Sequence, residues 1–593
     1  MDLSNPHSAL GSPGSPGTLS PSSPAPRSAP AAVGADAIPD ARGSNLYRAD
    51  PMAAALFGLY LPPALFTHLE PHFDRLGALA GGPLDELASI SDKHPPTLSV
   101  RNRRGADESR VIKHPAYVEM ERIAYCDLGL AAMSHRPGVL GWPQVMPAAA
   151  KYALTYLLVQ AEFGLCCPVS MTDSLARTLR RYGDPQLVER CLPLLTALDF
   201  DALHQGAMFM TEQGAGSDVA STATLAHQRP DASWALHGDK WFCSNPDAGF
   251  AMVLARSESP DTHPGLKGVS LFLLPRTLPD GTPNTYRILR LKDKLGTRSM
   301  ASGEIRLEGA TAWLVGERGR GFQQMADMVN NSRLSNGVRA AGLMRRALTE
   351  ALHVARHRVA FGKPLIELPL MRRQLLKMML PTEQARTMVF QTAQALARAD
   401  AGEPGAAALA RILTPLIKFR ACRDARRVTG DAMEVRGGCG YVEEWSDARL
   451  LRDSHLGSIW EGTSNIVALD VLRAIRRDNA LPALRAHVDA LLADGEPAAG
   501  EIAAVQAQVI DRAFSLAADA AAHDHAHLAR QAASGLYHVV TMAGLRWEAS
   551  QARLPQRATL ARLVLTHRLA PRDPLAASTD ELDADCGLLL QAP

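Results

Sequence analysis

The feature that most constrains this chain is a double switch in hydrophobic period. From about Leu46 to His204 the pattern is helical, with Ala/Leu/Met stretches such as Ala148 to Phe163 and Ser174 to Arg180. Between about Gly206 and Val315 it changes to short alternating or β-branched runs (Trp234–Leu236, Gly268–Leu274, Glu304–Leu307) separated by Gly, Pro, Asn and Asp. After Gly321 the helical period returns. Ala340, Met344, Leu348, Leu352, Ala355 and Val359 lie on one stripe, and a further helical stretch covers Ala406 to Gly430 behind the Pro404–Gly405 break. A helix–strand–helix order is expected of an α+β multidomain protein, and 593 residues are too many for one ordinary core.

The expected boundaries follow. Residues 1–44, rich in Pro, Ser, Ala and Gly, lack the apolar side chains to offset ordering entropy and read as a disordered tail. Residues 45–205 form an N-terminal helical domain, 206–315 a middle β domain, 316–473 a helical bundle, and the lysine-free 474–593 an extra helical domain. Net charge near neutral removes any whole-molecule argument for nucleic acid or membranes. The eight cysteines form no C-x-x-C pair, which fits a reducing cytoplasm. The start has neither a basic-plus-apolar export signal nor an arginine-rich leader, and no run is long enough to span a bilayer.

Four clusters carry chemistry. Met210-Thr-Glu-Gln-Gly-Ala-Gly-Ser-Asp218 places two glycines where backbone can approach a ligand, although a plain turn between strands explains it equally. In Gly238-Asp-Lys-Trp-Phe-Cys-Ser-Asn245, a turn leading into a strand, alternation puts Phe242 and Ser244 on one face: a flat apolar surface beside a hydroxyl, or simply a core aromatic. Asp431 to Tyr441 holds consecutive glycines that expose backbone, or that cap a helix. Ser458-Ile-Trp-Glu-Gly-Thr-Ser-Asn465 puts Glu461 just before a helix N-terminus, as a reactive carboxylate or an ordinary cap.

Taken in series, with the Arg358, Phe361, Gly362, Lys363 segment, these runs resemble the acyl-CoA dehydrogenase family over roughly residues 50 to 475. The AidB-type branch, linked to the response to DNA alkylation, is suggested by His94-Pro-Pro, by Lys292 to Arg298 read as a strand, by Glu434 and Pro369, and by the extra C-terminal domain. The resemblance implies FAD held by Met210, Thr211, Gly216 and Ser217, by Phe242, Cys243 and Ser244, and by Trp460, Thr463 and Asn465. Arg358 would reach the FAD pyrophosphate of a neighbouring subunit, which implies a homotetramer, while Gly437 and Gly438 would line the adenosine end of FAD and Phe361 would be a further cofactor-binding residue. Glu461 would be the catalytic base, because the family's other base position holds Ser332 here.

The expected reaction removes an α proton and a β hydride from an acyl-CoA, with hydride accepted at flavin N5. Double-stranded DNA is a further expected partner, through Arg473, Arg476 and Arg477 and through Arg553 and Arg557, spaced to share a helix face. A solvated helix face is the alternative. A metabolic dehydrogenase or oxidase without a DNA role, and a DNA-binding protein with structural FAD, are the competing functions. His353/His357 and His523/His527 lack further ligands, so no metal is expected.

Overall fold

In a computed structural model, the structure describes residues 38–590 apart from 496, 498, 499, 574 and 576–579. Most of the expected tail, residues 1–37, lies outside the described residues. By Ala41 the chain is packed: that residue is buried, and Gly43 donates its N–H to Gly81 O at 2.6 Å.

The N-terminal region is helical, as its pattern requires, with helices Ala53–Tyr60, Pro63–Gly81, Pro83–Lys93, Pro115–Arg122, Ala148–Leu158, Cys166–Tyr182 and Pro185–Leu195. Prolines at the first turn of several of these start helices without losing a hydrogen bond. One interruption was not expected: Thr97–Arg101 pairs antiparallel with Asp107–Ile112 as a hairpin, which reaches out to the middle domain. Its strands are polar and largely exposed, so their period-two signal is weak.

The middle domain's strands close into a ring. Phe250–Arg256 pairs with Val269–Pro275 and, at Arg256, with Leu225–Gln228. Leu225–Gln228 pairs with Trp234–Ser244, which pairs with Ser302–Val315, and that strand returns to Val269–Pro275. Closure hides the edges that an open sheet would present. Phe209, Trp234, Leu236, Cys243, Phe272, Ile288 and Ile305 fill the interior. Phe250–Arg256 is buried at every position, so it shows an unbroken apolar run rather than alternation.

Two expectations are corrected here. Trp234–Ser244 is one continuous strand rather than a turn leading into one, because Gly238, at φ +141°, lets the backbone pass Thr224. Lys292 to Arg298 is not a strand: pairing ends at Leu291, and Thr297 turns at φ +51° to donate its N–H to Asp453 at 2.6 Å.

The bundle is built on Gly321–His357, Pro369–Asp400 and Ala406–Arg436, with Ser446–Gly457 and Ser464–Asp478 packed beside Ala406–Arg436. The long first helix carries the expected stripe but stops at His357, so Val359 is not on it. Val359–Ala360 instead pairs with Lys363–Pro364. Beyond residue 474, Ala480–Ala493, Gly500–Ala522, Ala529–Gln551 and Pro555–Val564 continue the same hydrophobic core. No helix among the described residues is long and apolar enough to cross a membrane.

Candidate active site

Glu461 occupies the short turn between Ser446–Gly457 and Ser464–Asp478. It has φ +57° and is followed by Gly462 at φ +101°. A side chain with a Cβ is uncommon there, and such a conformation persists only where surrounding contacts hold it. Those contacts come from two bundle helices. Arg333 donates Nε–H to Glu461 O at 3.0 Å, and Lys418 donates to Gly462 O. Arg333 is itself fixed by Asp470 at 2.8 Å, which also receives Arg411.

The carboxylate points inward. Ser332 Oγ donates to Oε1 at 2.8 Å, while Oε2 is shut away from solvent with no partner. Leaving a buried oxygen unsatisfied costs about 1–3 kcal/mol or more for a charged group, a cost a purely structural cap has no reason to retain. Burial raises the Glu461 pKa above the ordinary carboxylate range, against the Ser332 hydrogen bond and the positive charges of Arg339, Arg333 and Lys418. Burial likewise pushes Lys418 down to about 8. Trp460 stacks on Phe163 with ring centres 5.7 Å apart, and the Arg339 guanidinium lies 4.5 Å from the Trp460 ring centre.

The middle domain supplies a complementary surface. Phe242 is 57% exposed, unusual for a phenylalanine in a closed barrel, and Ser244 shares its face. Cys243 points into the barrel core, so only its backbone is available to a ligand. The first motif is anchored by a residue that motif reading passed over. Glu212 accepts from Lys240 Nζ at 2.6 Å and from Thr224 Oγ1 at 2.6 Å, while Trp241 N–H donates to Thr211 O at 2.8 Å. This ties the two runs together and leaves Gly214, Gly216 and Ser217 exposed, with open space where a Cβ would sit on either glycine. Met210 and Thr211 are half-buried beneath them, and Thr463 and Asn465 are exposed beside Glu461. An exposed aromatic face, a hydroxyl and unobstructed glycine backbone suit a planar ring with a phosphate tail, so these residues fit FAD.

Arg358 is far from this point. It follows Ser332 by about seven turns of one helix, roughly 39 Å at about 1.5 Å per residue. There Arg358 donates to Arg436 O at 3.0 Å beside Gly437, whose φ of +76° ends the Ala406–Arg436 helix. Gly438 faces open space, and Phe361 is 92% exposed.

The arginines named for DNA divide. Arg473 pairs with Asp470 and Arg476 with Asp524, although both remain exposed, as do Arg477 and Arg553. Arg557 is a correction. It is fully buried, held by Glu383, Glu548 and Thr387, and cannot reach a phosphate. Nor do Arg553 and Arg557 share a helix: Arg553, at φ +54°, lies in the turn between Ala529–Gln551 and Pro555–Val564. Among the described residues no group of His, Cys, Asp and Glu is arranged to hold a metal.

Comparison with known proteins now decides the family. Residues 37–202 match the adaptive response protein AidB N-terminal domain, 207–310 the acyl-CoA dehydrogenase middle domain, and 319–476 the acyl-CoA dehydrogenase C-terminal domain. The putative acyl-CoA dehydrogenase AidB of Escherichia coli is 36% identical over 66% of this chain and 71% of its own.

The chain belongs to the acyl-CoA dehydrogenase family.

Its N-terminal domain is of the AidB type. The crystal structure of Caenorhabditis elegans ACDH-11 in complex with C11-CoA superposes with TM-score 0.82 and 27% identity, covering 91% of this chain and 94% of that one. An acyl-CoA dehydrogenase from Bacillus anthracis complexed with FAD shares the fold at TM-score 0.63 and 20% identity, over 76% and 80%. This acyl-CoA dehydrogenase-family chain is an FAD-dependent oxidoreductase acting on CH–CH bonds.

Sequence reading of the family motifs did not reach Arg333, Arg339, Lys418 or Phe163. For Arg339 the available signal was its spacing from Ser332 and Asn336, at four and three residues, which puts all three on one face of the helix.

Proposed function

We propose that this protein oxidises the Cα–Cβ bond of an acyl-CoA thioester, with Glu461 as the base. The observation that carries this reading is the buried Glu461 carboxylate, held by Ser332 on one oxygen and unpartnered on the other. FAD, when bound, supplies the hydride acceptor, with Thr211, Ser217, Phe242, Ser244, Thr463 and Asn465 positioned to hold it. Glu461 takes the α proton onto Oε2, and its own backbone N–H donates to the thioester oxygen as negative charge develops there. Trp460 and Phe163 keep water from the acyl chain. A deep site lets the carboxylate lose its hydration before it acts, and Ser332 keeps it oriented.

The separation of Arg358 and Gly437 from Glu461 along two long helices supports a homotetramer in which that end of one copy holds the FAD of another. The bare Phe361, Leu370 and Tyr441 side chains at the same end support the reading, being apolar surface suited to burial against a second copy. The eight cysteines, with no C-x-x-C pair among them, fit a cytoplasmic setting.

The test is anaerobic mixing of the yellow holoprotein with a panel of acyl-CoA thioesters. Flavin bleaching that falls by about 10²-fold or more in Glu461→Gln supports the reading. Undiminished bleaching in that variant overturns it.

A second reading, double-stranded DNA binding of the AidB type linked to protection against alkylation, draws support from the match of residues 37–202 and from the exposed Arg473, Arg476, Arg477 and Arg553. Binding that weakens with salt and is lost in an Arg477→Glu/Arg553→Glu double variant supports it. Unchanged affinity counts against it.

A further inference from the structure

Resting on Glu461 as the base, we infer that the acyl end of the site recognises an anionic chain terminus, a short dicarboxylic acid monothioester of CoA, through Arg339 and Asn336. Ser332, Asn336 and Arg339 follow one another at four and three residues on Gly321–His357, so they share a face. Ser332 touches the Glu461 carboxylate, and that face therefore looks into the site.

What it presents is polar. Arg339 has 0% exposure, yet its Nη1 has no hydrogen-bond acceptor; Nε donates to its own helix's Ser335 O at 3.3 Å, and the neutral Cys167 thiol is the other group hydrogen-bonded to the guanidinium. The guanidinium is placed by contact with the rings of Trp460 and Phe163, at 4.5 and 5.7 Å from their centres. Asn336 has 0% exposure, and neither its amide oxygen nor its amide nitrogen has a partner. Trp460 Nε1 is likewise buried without one. Unmet donors from three neighbouring residues thus accompany the unmet oxygen of Glu461.

Charge points the same way. Arg333 is matched by Asp470, and Lys418 gives a hydrogen bond to a neutral carbonyl. Arg339 therefore shares Glu461 with other cations and has no carboxylate of its own. A plain alkyl chain threaded past Glu461 would leave these donors dry. A terminal carboxylate would accept from the guanidinium and the Asn336 amide, and the planar fork of arginine suits a two-oxygen acceptor. Because Arg339 lies against Trp460, the residue preceding Glu461, only a few methylenes can separate the reacting carbons from that carboxylate.

The test compares glutaryl-CoA with 5-methylhexanoyl-CoA, which has the same shape with methyls in place of the carboxylate oxygens. Dissociation constants are measured by titration calorimetry on the holoprotein in the Glu461→Gln background, where turnover does not interfere. Glutaryl-CoA is expected to bind at least about tenfold more tightly, with Arg339→Met erasing or inverting the preference and Arg339→Lys retaining part of it. Tighter binding of the alkyl isostere overturns the inference even if Arg339→Met fails to fold. So does an Arg339→Met protein that keeps the preference and shows only a shifted pH profile in the Glu461-containing enzyme, since Arg339 would then serve the ionisation of Glu461 alone. Bleaching by alkyl thioesters only would sink this inference while leaving the proposed base in place. A glutaryl preference in binding without bleaching by either thioester would do the reverse.

Discussion

At the scale of single residues, the protonation of Glu461 is the quantity most open to measurement. Burial raises its pKa, and the Ser332 hydroxyl opposes that by donating to the charged form. A base works only when ionised, so kcat/KM should rise with pH through a limb above the ordinary glutamate range. Ser332→Ala removes a bond to the carboxylate and should move that limb to still higher pH, with a lower rate at neutral pH. A limb that stays put, or moves down, in Ser332→Ala would show that the hydroxyl does not tune the base. Lys240 makes a second residue-scale prediction. It is fully buried against Glu212, and Lys240→Met leaves that carboxylate without its counter-charge. A loss of about 3–5 kcal/mol in urea unfolding is expected, because breaking a buried pair strands one ion. Reduced FAD content should accompany it, since the same contact braces the Thr211–Trp241 link.

At the scale of elements, the helices after residue 474 are part of the main core rather than an appended module. Tyr60 donates to Glu548 Oε1 at 2.7 Å, and Arg557 joins Glu548 to Glu383 of Pro369–Asp400. Arg386 extends the network to Asp50. Removing residues 474–593 would strip Glu383 of Arg557, so truncation confounds any DNA test with unfolding. Arg557→Met should cost about 3–5 kcal/mol and lower the thermal midpoint, while any change in DNA affinity should vanish once the folded fraction is accounted for. Arg553→Glu, in an exposed turn, should leave the midpoint within about 1 °C because surface substitutions usually lie within about 0.5 kcal/mol. Equal thermal behaviour of the two variants would contradict the burial argument.

At the scale of the whole molecule, the flavin reading and the oligomer reading are coupled. The bundle's long helices carry Glu461's supports toward one end and Arg358 with Gly437 at the other. If the second end serves a neighbouring copy, Phe361→Asp should shift the particle to smaller mass by light scattering and lower the bound flavin in the same fractions. A Phe361→Asp protein that stays at its original mass with full flavin would refute the shared site. The middle barrel, by contrast, should be indifferent to that change, because its core is closed on itself.

The sequence by itself determined the order of helical and strand-rich regions, the family motifs and the position of Glu461 before a helix. These are set by local period, by turn chemistry and by short runs whose spacing survives in one dimension. It could not show that Phe250–Arg256 is a buried strand, since a run with both faces covered has no alternation to read. Nor could it show that Val359 leaves its helix for a two-residue hairpin, or that Arg557 is buried. An arginine's burial depends on partners brought together by the fold: Glu383 lies 174 residues away on another helix, and charge counts over a window weigh Arg553 and Arg557 alike. Only the tertiary structure brought Ser332 to Glu461 and left Arg339, Asn336 and Trp460 unmet beside it. Partnership between buried polar groups is a property of three-dimensional neighbours, and it is there that the chemistry of this chain is decided.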